Sequence, residues 1–409
     1  MALIRPFRGY RPRPDLVSEV CCPPYDILTS EEARQLARSN PHSFLRIIKP
    51  EVDFPPDTDM YADAVYEKAA ENLNSFIRSG TLVRDPLPSV YLYRLRLGDH
   101  VQTGVVCAAA VDDYDSGTIK RHELTRYDRE QDRTRFVNVQ NGNTGPVFIT
   151  YRGKRSITEA IESFCSSHPC SAEFTSPDTV THTLWAVSDP DMIRTLREEF
   201  DHVRSLYIAD GHHRAFAASK VREMRSSCRS VPDAEWNYFL AVIFPDTQLV
   251  IRDYNRVIKD MNGFSEQVFL RKLEPCFDVT SVSNGRPDGP RQFGLYMGGS
   301  WYRLRARPET YNTDDPVKSL DVSILHSNII SPLLGINNLK EDSRIEFVGG
   351  TYGLEALEKK ASSVRGLAFA LFPTTIEQIM KVSDAGEIMP PKSTWFYPKP
   401  YSGMAVHLF

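Results

Sequence analysis

The chain has 409 residues, 41% hydrophobic and 25% charged, with a formal net charge of −4. That length allows two or three domains, or one large domain with insertions, and the mild acidity gives no general attraction to nucleic acid or acidic membranes. No apolar run approaches membrane-spanning length and MALIRPFRGYRPRP lacks the apolar core of a secretory signal, so a cytoplasmic protein is expected. The seven cysteines are scattered without framework spacing, and Cys107 reads as a small core residue.

In chain order, the opening segment alternates arginine with proline, which excludes a long helix. It is either an extended surface arm or a device that brings Arg5 or Arg8 to an anionic site. CCPPYDIL follows, where Pro23-Pro24 would hold Tyr25 and Asp26 in a defined direction, as pocket lining or as a helix lead-in. Thr29 and Glu32 form a T-x-x-E capping box for a helix that ends at Asn40-Pro41. SFLRIIKP reads as a strand. Ala62, Val65, Ala69, Leu73 and Phe76 then mark one face of a second helix ending at Gly80.

SVYLYRLRL and VQTGVVCAAAV flank Gly98-Asp99 and predict a β-hairpin. In IKRHELTRYDREQDRTR the alternating charges of Asp128 to Arg135 predict a solvated, ion-paired helix. His122 and Glu123, beside an expected strand end, are candidates for acid, base or metal chemistry, and Arg126 for substrate binding. NGNTGP is a turn before the strand VFITY.

Beyond Tyr151, strands and helices alternate: SITEAIESF, LWAVSD, a helix from Asp191 to Phe200, then YIADGHHR and its helix. WNYFLAVIFP and LVIRDYNRVI predict two adjacent strands, and SVSNGRPDGPRQ a linker before the hairpin FGLYMGGSWYRLR. The last third adds the helix LDVSILHSNIISPLL, the strand IEFVG, the helix LEALEKKA, the strand GLAFALF and the helix TTIEQIMKV. The terminus, GEIMPPKSTWFYPKPYSGMAVHLF, would be anchored by its aromatics, and Lys392 is its candidate for an anionic ligand. The expected fold is α/β with mixed sheets flanked by helices, divided as residues 1–150, 151–290 and 291–409.

The strongest chemical signal is YIADGHHR, from Tyr207 to Arg214, where an apolar strand stops at a turn that opens a helix. A helix N-terminus presents unpaired N–H groups and the positive end of the dipole, which suits an anion. Gly211 allows close backbone approach, while His212, His213 and Arg214 add donors. Asp210 could hold Mg²⁺ or accept a proton. Two other readings stand beside this one: the adjacent histidines as zinc ligands, and Asp210 as a helix cap with Arg214 in a structural ion pair.

Taken together, IRPFRG, CPPYD, NPHSFLRI, KRHELTR, DGHHRAFAA, LDVSILHS and MPPKSTWFYPK resemble the recurrent segments of one large conserved family of uncharacterised cytoplasmic proteins. More narrowly, the DGHHR turn is similar to that of the free serine kinases of the ParB/sulfiredoxin-like superfamily, in which a strand-turn-helix binds nucleotide phosphate and the hydroxyl of L-serine is phosphorylated. That resemblance implies a metal- or proton-handling role for Asp210 and a phosphate cradle of Gly211, His212, His213 and Arg214. It also implies a glutamate base, for which Glu123 is the candidate on chemistry.

The resulting expectation is a phosphotransferase, with ATP or ADP as donor, Mg²⁺ as cofactor and a small-molecule hydroxyl, free serine by resemblance, as acceptor. The alternative is a non-catalytic nucleotide-binding regulatory module. Nucleic-acid binding is disfavoured by the charge, and no G-x-x-x-x-G-K-[ST] P-loop is present.

Overall fold

The computed structural model describes residues 3–228 and 231–409. The fold is mixed α/β, with mixed sheets flanked by helices. It divides into two compact units, the first comprising Met1–Arg121, Thr125–Leu249 and Pro398–Phe409, the second His122–Leu124 and Val250–Tyr397. The expected divisions after 150 and 290 fall inside these units. Among the described residues, no helix is long and apolar enough to cross a membrane.

The first unit is built on a nine-stranded sheet. Its strands are β1 (Ile4–Arg5), β2 (Val90–Leu97), β3 (His100–Ala110), β4 (Ile119–Lys120), β5 (Val147–Tyr151), β6 (Ala172–Thr175), β7 (Thr181–Val187), β8 (Leu206–Asp210) and β9 (Tyr238–Pro245). They lie in the order β4-β8-β5-β9-β3-β2-β7-β6, with β1 also on β3. The pairs β4/β8 and β5/β9 are parallel and the others antiparallel. The β2–β3 hairpin closes through Gly98 at φ 57°, as its Gly-Asp turn requires. In β2, flanked by β7 and β3, five of the eight residues are buried, Arg94 and Leu97 are half-buried and Arg96 is exposed.

Val105, Cys107, Ile149, Ile208 and Ile243 form the sheet's core with Ile157 and Ile161 of α4 (Arg155–Ser167) and Leu196 and Phe200 of α5 (Pro190–Asp201). Each such side chain contributes about 1.5–3 kcal/mol by leaving water. Ala215 and Ala218 of α6 (His212–Cys228) join the same core, which fixes that helix directly behind Asp210.

Around the sheet, α1 (Ser30–Ala37) starts at the predicted capping box, where Thr29 Oγ1 accepts from Glu32 N–H at 3.2 Å and Glu32 Oε2 accepts from Thr29 N–H at 2.7 Å. Helix α2 (Asp63–Arg78) buries Val65, Tyr66, Ala69, Leu73 and Phe76. The expected strand SFLRIIKP is instead a short helix, Leu45–Ile48, followed by a 3₁₀ turn at Pro50–Asp53. Leu45, Ile47 and Ile48 are all buried, and a short apolar run buried all round carries no period to separate helix from strand. Arg46 pairs with Asp53 of that turn and donates to the carbonyls of Asn40 and Ala37 upstream.

Helix α3 (Tyr127–Gln140) departs from expectation in part: Tyr127, Asp128, Gln131, Asn138 and Val139 are exposed, but one face is buried. Asp132 and Arg133 are 2% and 8% exposed. Tyr66 O–H donates to Asp132 Oδ1 at 2.8 Å, and the Arg133 guanidinium lies over the rings of Tyr25 (4.2 Å) and Phe136 (4.1 Å).

The second unit holds a six-stranded antiparallel sheet of β10 (Tyr254–Ile258), β11 (Phe277–Val282), β12 (Gln292–Met297), β13 (Ser300–Ala306), β14 (Ile345–Gly349) and β15 (Leu367–Leu371), ordered β11-β13-β12-β15-β10-β14. Helix α7 (Gly353–Val364) lays Leu357 and Ala361 on Val257, Ala368 and Ala370. The predicted pairing of WNYFLAVIFP with LVIRDYNRVI does not occur, since β9 pairs with β3 and β5, whereas β10 pairs with β14 and β15. The expected long helix after Leu320 is α-helical only over Asp321–Leu325 and continues as a π turn, His326–Ile330.

Candidate anion site at the Asp210 turn

Strand β8 ends in a bulge. Ile208 opposes Ile149 and Asp210 opposes Phe148, so Ala209 is the extra residue, and bulges of this kind redirect the side chain that follows. Gly211 then turns the chain at φ 94°, a conformation L side chains rarely adopt. A Cβ here would sit 2.9 Å from Arg214 Nε, so glycine is required both by the backbone and by the guanidinium packed over it. Helix α6 begins at His212, with the N–H groups of Arg214 and Ala215 donating to the Gly211 carbonyl at 2.9 and 3.1 Å.

Three charged groups meet at the turn. Arg214 NH2 lies 3.0 Å from Asp210 Oδ2, and Lys399 Nζ reaches the same oxygen at 3.1 Å. The side chains are 12% (Arg214), 13% (Lys399) and 25% (Asp210) exposed. Arg214 also lies 3.9 Å from Asp26 Oδ2 and donates to the Pro146 carbonyl. Its Nε–H is buried without a hydrogen-bond partner, an unused donor in an otherwise bonded guanidinium.

The electrostatics follow from this geometry. Burial alone would raise the Asp210 pKa, but Lys399 and Arg214, with a smaller contribution from His212, outweigh it and hold the carboxyl well below the usual carboxylate range. Burial likewise opposes the charges of Lys399 and Arg214, and Asp210 and Asp26 more than restore them. His213 is pushed down to about 4 by burial and then by Arg129. It is therefore neutral near pH 7, and its Nε2 accepts the Arg126 N–H at 3.0 Å.

Beside Arg214 is a cavity of about 40 Å³ lined by Tyr25, Arg133, Gln140, Thr144, Gly145 and Ser402 among others. Burial raises the Tyr25 hydroxyl above its ordinary value, with Arg133 opposing. The space suits a few ordered waters, and its polar lining would keep them hydrogen-bonded.

The structure thus gathers Tyr25, Asp26, Asp210, Gly211, His213 and Arg214, with His212 buried on the same turn. Arg126 joins through its backbone, because its guanidinium pairs with Asp128 at 2.8 Å. Arg5 is engaged elsewhere, by Asp233 and Glu235 and over the Tyr238 ring at 4.5 Å. His122, Glu123 and Lys392 belong to the second unit, where the His122 carbonyl accepts from Met389 N–H and the Lys392 carbonyl from Arg256. Lys399 was not foreseen. Its one signal is the stiff Pro398-Lys399-Pro400 step that closes the WFYPK run.

Among the described residues, no three His, Cys, Asp or Glu side chains gather to hold a metal ion by themselves. What the fold and turn define is a mixed α/β protein with a strand-glycine-helix site where Arg214 and Lys399 meet the carboxylates of Asp210 and Asp26.

The chain belongs to the family described as Protein of unknown function (DUF1015), which matches residues 4–323. No curated protein matches it. Among solved structures it is similar to a free serine kinase in complex with AMP, at 12% identity over 75% of this chain and 91% of that chain, TM-score 0.37. A conserved hypothetical protein from Pyrococcus furiosus matches at 14% identity over 74% and 93%, TM-score 0.34. SbnI with a C-terminal truncation, from Staphylococcus aureus, matches at 13% identity over 73% and 85%, TM-score 0.35.

Proposed function

We propose that the Asp210 turn binds the phosphates of a nucleotide, ATP or ADP, and that the protein transfers a phosphoryl group to a small-molecule hydroxyl, free L-serine by the likeness of its DGHHR turn. The observation that carries this reading is the clamp itself. Arg214, with an unused Nε–H, and Lys399 converge on Asp210 where a helix N-terminus opens. Phosphate oxygens would take the Arg214 fork and the Lys399 ammonium, adding to the N-terminal dipole of α6.

Asp210 acts in this scheme as a fixed charge, since a carboxylate held so far below its usual range is a weak proton acceptor. Its carboxylate and that of Asp26 are the groups that would hold Mg²⁺, an ion that commonly takes one or two carboxylates together with substrate phosphates and water. When bound, that ion would neutralise charge on the transferring group.

The second reading, nucleotide binding without transfer, is favoured by a different observation. Asp210 and His213, titratable groups of the turn, are both held in forms unsuited to taking a proton at neutral pH. The two readings separate in a turnover assay. A kinase consumes nucleotide only when an acceptor hydroxyl is supplied, and Asp210→Asn abolishes that consumption. A regulatory module binds nucleotide with no acceptor-dependent turnover. Glu123→Gln and Lys392→Met in the same assay test the remaining sequence candidates.

A further inference from the structure

Lys399 stands on the C-terminal tail, so its position depends on what holds that tail. Only Pro400 lies between Lys399 and Tyr401, and Pro398 precedes the lysine; both prolines and Tyr401 are buried. Two prolines restrict φ on either side, so a shift at Tyr401 is transmitted to Lys399 rather than absorbed.

Tyr401 is held by a closed ring of hydrogen bonds within the first unit. Its backbone N–H donates to Tyr93 Oη at 3.1 Å. Tyr93 O–H and His182 Nδ1 are 2.7 Å apart, and His182 Nε2 lies 3.1 Å from Ser176 Oγ. Ser176 O–H donates to Asp178 Oδ1 at 2.5 Å, and the Tyr401 hydroxyl donates to that same oxygen at 3.3 Å. The ring begins at the Tyr401 backbone and ends at its hydroxyl.

Its directions are set by chemistry. The Tyr93 oxygen accepts from Tyr401 and so gives its proton to Nδ1, which leaves Nε2–H to donate to Ser176. Burial pushes the His182 pKa down to about 3, so the imidazole stays neutral and keeps one donor and one acceptor. Tyr93, His182 and Ser176 are 1%, 0% and 4% exposed, and the Phe174 ring stacks on His182 at 4.8 Å.

We propose that Tyr93 and His182 are positioning residues that set Lys399 against Asp210 by fixing Tyr401 two residues further along the tail. The proposal takes its functional meaning from the nucleotide reading, yet the geometry it asserts can be tested without a nucleotide. Limited acetylation with acetic anhydride, followed by peptide mass spectrometry, reports how well Lys399 is held. Lys318, whose side chain is 76% exposed, serves as the internal reference.

In the wild-type protein Lys399 should label more slowly than Lys318. Tyr93→Phe removes one hydroxyl and keeps the ring, and it should raise Lys399 labelling relative to Lys318 by roughly three- to tenfold, the range expected for one buried hydrogen bond. Ser176→Ala, at the far side of the ring, should give a smaller rise and replaces Tyr93→Phe if that variant does not fold. Unchanged labelling of Lys399 in a folded variant overturns the proposal, as does wild-type labelling as fast as that of Lys318.

A binding cycle then separates positioning from general weakening. Tyr93→Phe should lower ADP affinity in the wild-type background and leave it unchanged in Lys399→Met. Equal losses in both backgrounds contradict a role exerted through Lys399. If the wild-type protein binds no ADP, the nucleotide reading fails while the labelling result still decides the positioning claim.

Discussion

Removing the Lys399 charge should weaken the fold in a manner that depends on Asp210 and on pH. Opposite unit charges about 3 Å apart attract by roughly 5 kcal/mol at an effective dielectric of about 20. Much of that is offset by the cost of taking the lysine out of water. Arg214 remains on the carboxylate after Lys399→Met, so the net loss should be about 1–3 kcal/mol. With an unfolding entropy of about 2.1 cal/mol/K per residue, each kcal/mol lowers the thermal midpoint by about 1–2 °C.

Asp210 has a folded-state pKa below its unfolded value of about 3.9, so its contribution is complete above pH 4 and is lost as pH falls through the folded value. The gap between wild type and Lys399→Met should therefore hold from pH 8 down to about 4, remain largely present at pH 3.5, and close only as pH falls on towards the folded value. Thermal melts of wild type, Lys399→Met, Asp210→Asn and the double variant, at pH 7 and pH 3.5, check this. The double variant should be less damaged than the sum of the singles by about 1–3 kcal/mol at pH 7. Additive effects at pH 7, or a gap already closed at pH 3.5, would refute the reasoning.

Other outcomes follow from single positions. Gly211→Ala places a side chain at φ 94° and 2.9 Å from Arg214 Nε, so it should cost about 1–2 kcal/mol in thermal stability and weaken ADP binding measured by calorimetry; wild-type affinity would show that the guanidinium is not used. Gly142→Ala would bring a Cβ to 2.5 Å from the His407 carbonyl oxygen and 2.9 Å from Leu408 Cα, the backbone of the tail strand, so carboxypeptidase should trim the variant's tail much faster than the wild type's. His213, whose folded pKa is lowered, loses its stabilising contribution only as pH falls below its unfolded value of about 6.5. Its ring nitrogens should read as a neutral imidazole by nitrogen-15 NMR at pH 6; an imidazolium at that pH contradicts the burial argument.

The parts of the fold carried by local pattern were legible in the sequence. The Thr29–Glu32 capping box, the apolar stripe of α2, the Gly98-Asp99 hairpin and the strand-glycine-helix turn at Asp210 all depend on neighbours a few residues apart. What was not legible depends on distant partners. Asp132 and Arg133 read as solvated charges because the residues that bury them, Tyr66 and Tyr25, come from other elements. WNYFLAVIFP and LVIRDYNRVI are equally strand-like, and nothing in their composition says that they pair in different sheets.

The site shows the same division. Asp210, Gly211 and Arg214 could be chosen from one turn, whereas Lys399 arrives from the opposite end of the chain through a tail pinned at His407–Leu408 to Gly142–Asn143. The tail was expected to dock and to carry a lysine for an anion. The structure brings Lys399 to Asp210, while Lys392 lies in the second unit.

The measurement that bears most directly on the central claim is phosphorus NMR of the protein with Mg²⁺ and ATP or ADP, with and without L-serine, in the wild type and in Asp210→Asn. A new phosphate-ester resonance that needs both the hydroxyl acceptor and Asp210 is the result this account predicts. Bound nucleotide with no new ester, across serine and other small hydroxyl compounds, would contradict phosphoryl transfer and leave a nucleotide-binding module.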